Sequence, residues 1–106
     1  MNQLTVQSLS QWLAHSSREQ PLLLDVRETW EVQTAALPGI VHIPMQDIPS
    51  RLEEIDRTRE IVSICHHGAR SLQVALFLER QGMKVVNLAG GMEAWSREID
   101  PSVPRY

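Results

Sequence analysis

The chain has a single cysteine among 106 residues, Cys65. It can form no internal disulfide, which agrees with a reducing compartment and a cytoplasmic location. No apolar run approaches the length that a membrane helix needs, so a membrane is not expected as a partner. The first residues, Met1-Asn2-Gln3-Leu4-Thr5, lack the basic start and apolar core of a signal peptide. Basic residues are not in excess: 10 Lys and Arg stand against 13 Asp and Glu, for a net charge of −3. That balance speaks against nucleic acid as a partner. Any anion site must therefore be a local field, because the whole molecule does not supply one. Repeats, low-complexity tracts and linkers are also missing. The length suits one domain, residues 1–106, and 42% hydrophobic residues suffice for a modest core.

What is present is an alternation of strand and helix signals. Leu4-Thr5-Val6 reads as a short strand, followed by a helix capped by Ser8 with Gln11 completing a capping box and an apolar face of Leu9, Trp12 and Leu13. Leu22 to Val26 has the continuous apolar pattern of a strand covered on both faces. Asp25 at its end either lines a site or accepts hydrogen bonds from loop N–H groups, and the second reading is preferred. Arg27 and Glu31, four apart on a short helix, are placed to pair. Trp30 between them either rims the pocket or packs in the core, and the second reading is preferred. Pro38-Gly39 marks a turn before a strand over Ile40 to Ile43, which Pro44 ends. Asp47 is placed to cap the next helix, with Ile48, Leu52 and Ile55 inward and a solvated outer face of mixed charge. Leu72 to Leu78 is apolar nearly all round, as in a helix buried on more than one side, with Gly82 closing it. Val85-Val86 is a further strand, and Gly90-Gly91 opens a last helix with Met92, Trp95 and Ile99 on one face. The tail from Asp100 to Tyr106, with two prolines, is expected to be extended. Such alternation implies an α/β domain with a mainly parallel sheet. Right-handed crossovers would bring Asp25, Cys65 and the Leu88-Ala89-Gly90 turn to one edge.

The stretch from Ile61 to Ser71 carries the chemistry. Ile61-Val62-Ser63-Ile64 is a buried strand, Cys65 sits where strand becomes loop, and Arg70 sits where loop becomes a helix opened by Ser71. A free cysteine is often only a small buried hydrophobe. Here, however, it faces a helix N-terminus at the carboxyl end of a strand, where ligands bind in open α/β sheets. Backbone N–H groups, the helix dipole and Arg70 favour a thiolate there and attract a small anionic electrophile. Gly68 permits the tight curvature. His66 and His67 suggest a base or a metal site, but a favoured thiolate needs no base. Cys-His-His in direct succession is not zinc spacing, and no second ligand cluster exists.

These residues resemble the rhodanese-like sulfurtransferases over nearly the whole chain. Cys65 to Arg70 is similar to that family's six-residue active loop, Leu22 to Arg27 to its first signature strand, Glu31 with Leu37 to Pro44 to its second motif, and Asn87 to Trp95 to its third. Ala35-Ala36 stands where the family usually has Gly-His. The resemblance implies a three-layer fold, a five-stranded sheet with helices on both faces, a structural role for Arg27, and sulfur transfer through a persulfide on Cys65. In that chemistry Arg70 binds the anion, while the backbone of His66, His67, Gly68, Ala69 and Ser71 forms the cradle. One of the two histidines contacts substrate and the other faces solvent. The implied partners are a small anionic sulfur donor such as thiosulfate and a thiophilic acceptor, with a protein as an alternative donor or acceptor. No metal or organic cofactor is required. The tail is similar to the ends of rhodanese domains fused to activating enzymes for sulfur carriers, which favours the protein-donor alternative; packing across the domain is the simpler reading. Cysteine phosphatases are the rival chemistry, but five residues separate Cys from Arg in their loops and four do here.

Overall fold

The computed structural model describes residues 2–106; Met1, where the expected domain 1–106 begins, lies outside them. Five strands, β1 (Gln3–Leu4), β2 (Leu22–Asp25), β3 (Val41–His42), β4 (Ile61–Ile64) and β5 (Val85–Leu88), form one sheet in the order β1-β5-β4-β2-β3. All four pairings are parallel. The helices α1 (Val6–Ala14), α2 (Thr29–Thr34), α3 (Ala69–Arg80) and α4 (Gly91–Glu98) and two short 3₁₀ segments, Met45–Ser50 and Leu52–Glu54, make the connections.

Two apolar clusters show why the sheet is covered on both sides. On one face, Leu22, Leu24 and Ile61 pack against Val74, Ala75 and Leu78 of α3 and against Ile48 and Ile55. On the other, Leu23, Val62 and Ile64 pack against Val6, Leu9 and Trp12 of α1 and Met92 and Trp95 of α4. Alternate residues of β2 and β4 thus enter opposite clusters, so these strands are apolar at every position but Asp25 and Ser63. Complete burial of a side chain such as Leu24, which is 0% exposed, contributes about 1.5–3 kcal/mol. The expected three-layer α/β architecture is the one that forms.

Several local expectations are corrected. The first strand stops at Leu4, and Thr5, not Ser8, caps α1: its hydroxyl oxygen accepts the Ser8 N–H at 3.1 Å. Starting the helix there buries Val6 beneath the sheet. The segment after Pro44 is a 3₁₀ turn that begins at Met45, so Asp47 lies within it and does not cap it. α3 starts at Ala69, ahead of Ser71, and buries one face only, Ser71, Val74, Ala75 and Leu78, while Leu76 on the other side is 36% exposed. The tail is not extended throughout. Asp100 accepts from the Ser102 and Val103 N–H groups in a turn, Val103 packs under α4, and Tyr106 returns to the Cys65 loop. Asp25, Cys65 and the turn after β5 do share one edge: Asp25 pairs in register with Ile64, and Met92 donates its N–H to the Cys65 carbonyl.

Candidate active site

The site is built where β4 runs out. Cys65 follows Ile64 directly and is 1% exposed. Gly68, at φ +103°, turns the chain back so that its N–H donates to the Cys65 Sγ at 3.1 Å. L side chains rarely adopt that φ. The turn leads into α3, and the Ser71 hydroxyl lies 3.2 Å from the same sulfur. The N-terminus of a helix of 12 residues therefore faces the cysteine and lends it the positive end of its dipole.

α4 fixes the loop from outside. Its Met92 and Glu93 N–H groups donate to the Cys65 and His66 carbonyls at 2.9 and 3.0 Å. Carbonyl and N–H point in opposite directions across a trans peptide, so the His66 and His67 N–H groups turn away from α4. The α4 N-terminus thereby satisfies its own free N–H groups and sets the orientation of the loop.

Asn87 on β5 is a positioning residue with no separate signal in the sequence. Its Nδ2 donates to the Gly68 carbonyl at 3.0 Å and to Gln3 at 2.9 Å, and its Oδ1 lies 2.5 Å from the Ser71 hydroxyl. Ser71 has one proton and two acceptors, the Asn87 Oδ1 and the Cys65 Sγ. Negative charge on the sulfur draws that proton toward it.

Arg70 forms a bidentate pair with Glu31, at 2.7 Å from Nη1 to Oε2 and 2.8 Å from Nη2 to Oε1. This corrects the expected Arg27–Glu31 pairing. Arg27 is fully buried and turns instead to Asp25, 2.7 Å away, which also accepts the Arg27 backbone N–H. The link to the end of β2 wins because both charges are out of water and need each other. Asp25 thus accepts one loop N–H, that of Arg27, together with its guanidinium, and Arg27 is structural.

Glu31 itself is 4% exposed at its side chain and also accepts from the Glu28 N–H at 2.9 Å and the Tyr106 hydroxyl at 3.0 Å. The Arg70 guanidinium, above all, holds its carboxyl down to about 2, from an ordinary 4.5. A depressed carboxyl stabilises the fold above its unfolded value and loses that contribution as pH falls toward its folded one. The expected result is a stability difference between the protein and Glu31→Gln that is flat above pH 5 and shrinks between about pH 4.5 and 2. Arg70 is 37% exposed, so solvent screening limits the difference to roughly 1–2 kcal/mol. Urea unfolding across this range measures it, and a difference independent of pH would refute the pairing.

The two histidines separate. His66 is half-buried, stacked on the Tyr106 ring at 4.0 Å and 14°, with Glu93 3.9 Å away. Burial and then His67 push its pKa down, and its Nε2 has no hydrogen-bond partner among the described residues. Both effects favour the neutral imidazole. His67 is exposed, as is Ala69 at the start of α3. Trp30 is not in the core: it is 59% exposed and meets the edge of Tyr106 at 5.6 Å. Among the described residues, no three His, Cys, Asp or Glu side chains gather where they could hold a metal ion.

Sequence reasoning missed Tyr106 and the pairing of Glu31 with Arg70 at this site. The partners lie 75 and 39 residues apart in the chain, beyond any local periodicity.

Comparison with known proteins agrees with the resemblance. The sequence profile of the rhodanese-like domain matches residues 6–98. YtwF of Bacillus subtilis (strain 168) is 47% identical over 83 residues, 78% of this chain and 81% of its own length. A sulfurtransferase of Allochromatium vinosum is 40% identical over 104 residues, 97% of this chain and 95% of its own. The crystal structure of a rhodanese-like domain protein from Staphylococcus aureus superposes with a TM-score of 0.85 at 29% identity, covering 100% of this chain and 99% of that one. No helix among the described residues is long and apolar enough to cross a membrane.

Proposed function

The chain belongs to the rhodanese-like domain family, and from that premise we propose that it moves a sulfane sulfur from a donor such as thiosulfate to a thiophilic acceptor through a persulfide on Cys65. The observation that carries this reading is the convergence of the Gly68 N–H and the Ser71 hydroxyl on the Cys65 Sγ, 3.1 and 3.2 Å away, at the mouth of α3.

In the first half-reaction the Cys65 thiolate attacks the outer sulfur of thiosulfate. The S–S bond breaks, sulfite leaves with the electron pair, and Cys65 holds a persulfide anion. In the second, cyanide, a thiol or a protein nucleophile takes the outer sulfur and returns the thiolate. Sulfur carries negative charge in both resting states. Donors already fixed around it, from the loop amides and Ser71, stabilise that charge without reorganising. Neither half needs a redox partner, and a reducing compartment such as the cytoplasm suits a lone thiol. Arg70 draws the anionic donor to the loop. The four residues between Cys65 and Arg70 favour this chemistry over phosphate-ester hydrolysis, because the tighter ring suits one sulfur better than a tetrahedral oxyanion.

Intact-mass spectrometry tests the reading. Treatment with thiosulfate should add one sulfur atom, and cyanide should remove it. A folded protein that gains no sulfur from thiosulfate or from a persulfide would overturn it. Arg70→Ala should raise the KM for thiosulfate about tenfold or more, the size of a lost charge-assisted contact. An unchanged KM in steady-state assays would remove Arg70 from donor binding.

A further inference from the structure

Arg70 is the cation that should receive an anionic donor, yet both terminal nitrogens of its guanidinium already face Glu31. The carboxylate is not free to move aside. Glu28 holds it through a backbone N–H, and Tyr106 through a hydroxyl. Tyr106 in turn accepts from Arg27 Nη1 at 2.9 Å, and Arg27 is locked onto the buried Asp25. A chain of charged and polar contacts therefore runs from the end of β2 to the active loop and fixes Glu31 at its centre. Other cations of this rim are also matched. Arg105 pairs with Glu93, Arg97 lies 3.9 Å from the same carboxylate, and burial favours the neutral form of His66.

We propose that Glu31 is a specificity-determining residue, a built-in carboxylate that competes with the donor's anionic group for Arg70 and so biases the charging of Cys65 toward persulfides, R–S–SH, over thiosulfate. The inference rests on the sulfur-transfer reading and names the donor class of the same site. Glu31 already holds two of the five N–H donors of Arg70, so thiosulfate must share the cation with a buried carboxylate and place its sulfonate beside it. Repulsion between the two like charges is costly, and Glu31 already offsets the charge of Arg70. A persulfide brings no oxyanion. The Cys65 thiolate attacks its terminal sulfur, the S–S bond breaks, and the departing thiolate keeps the proton that the terminal sulfur carried. The products are the Cys65 persulfide anion and R–SH. One sulfane sulfur moves, and no oxidant or reductant enters.

The experiment compares kcat/KM for thiosulfate and for the persulfide of N-acetylcysteamine, which carries no carboxylate, in the wild type and three variants. The wild type should prefer the persulfide. Glu31→Gln should raise the thiosulfate-to-persulfide ratio about tenfold, mainly through a lower KM for thiosulfate, because one competing charge at Arg70 is gone. Glu31→Asp, which restores the charge, should bring the ratio back toward the wild type. Tyr106→Phe keeps the ring on His66 but removes one donor from Glu31, and should shift the ratio the same way by roughly two- to threefold. A ratio that stays flat or falls in Glu31→Gln, or a wild type that prefers thiosulfate, overturns the proposal. If Glu31→Gln does not fold, an unmoved ratio in Tyr106→Phe overturns it equally. The mass of each treated protein separates the two levels. One added sulfur with a flat ratio sinks the role of Glu31 alone, whereas no added sulfur from either donor sinks sulfur transfer and this inference together.

Discussion

Cys65→Ser should leave treatment with thiosulfate or with a persulfide at its unchanged mass, and its turnover should fall by at least about 10³-fold, as when a covalent nucleophile is removed. Serine is a weaker nucleophile at neutral pH and cannot hold a sulfane sulfur as a persulfide. No other cysteine exists to substitute for it. The fold should survive. The serine oxygen keeps the Gly68 N–H and the Ser71 hydroxyl as partners, so the buried polar atom is satisfied. The change should cost on the order of 1 kcal/mol, about 4–8 °C in Tm for a chain of this size. Calorimetry and intact mass on the same sample check both halves. Sulfur found on the Ser variant would remove Cys65 from the reaction, and an unfolded variant would mean that the sulfur is a packing element first.

The contrast between what local sequence reveals and what only the fold reveals is clearest around this loop. β2 and β4 are legible because strands covered on both faces need apolar residues on both, and only Asp25 and Ser63 break the run here. Cys65, Gly68 and Arg70 are legible as a loop between a strand and a helix. The helix faces were less so. Leu72 to Leu78 contains enough apolar residues to look buried all round, but α3 lies on the sheet surface and needs only the stripe Ser71, Val74, Ala75 and Leu78. The pairing of charges was misread for a related reason. Spacing of four on a helix suggested Arg27 with Glu31, but helical spacing describes exposed pairs of modest energy. Once Arg27 is buried, its partner is decided by which carboxylate is buried with it, and that is Asp25. Glu31 is thereby released to Arg70, and that pairing becomes visible only when β2 and β4 lie side by side. Tyr106 joins them from the far end of the described chain, where prolines suggested an extended tail.

Gly91→Ala should be the most damaging small substitution in the molecule, because it strikes the contact that orients the loop. A methyl group at Gly91 would lie 2.3 Å from the Cys65 carbonyl oxygen and 2.6 Å from that of His66. Those are backbone atoms, and they cannot rotate away as a side chain can. They are also the two acceptors that Met92 and Glu93 bind, so relief of the clash requires α4 and the loop to separate and lose both hydrogen bonds. Gly91 has φ +55°, which adds the cost of a left-handed alanine, about 1–2 kcal/mol. Overpacking adds about 1–3 kcal/mol. The expected sum is about 2–5 kcal/mol, a drop in Tm of about 10 °C or more. Gly82→Ala is the control. Gly82 also has a positive φ, +86°, but nothing lies within 4 Å of an added methyl group. It should cost only about 1–2 kcal/mol, the conformational term. The two variants should also differ in chemistry. Where Gly91→Ala remains folded, at low temperature, its Cys65 should charge more slowly than that of Gly82→Ala, because a displaced loop no longer aims its amides at the sulfur. Equal Tm values and equal charging rates would show that α4 yields without moving the loop, and that the cradle is held by α3 and Asn87 alone.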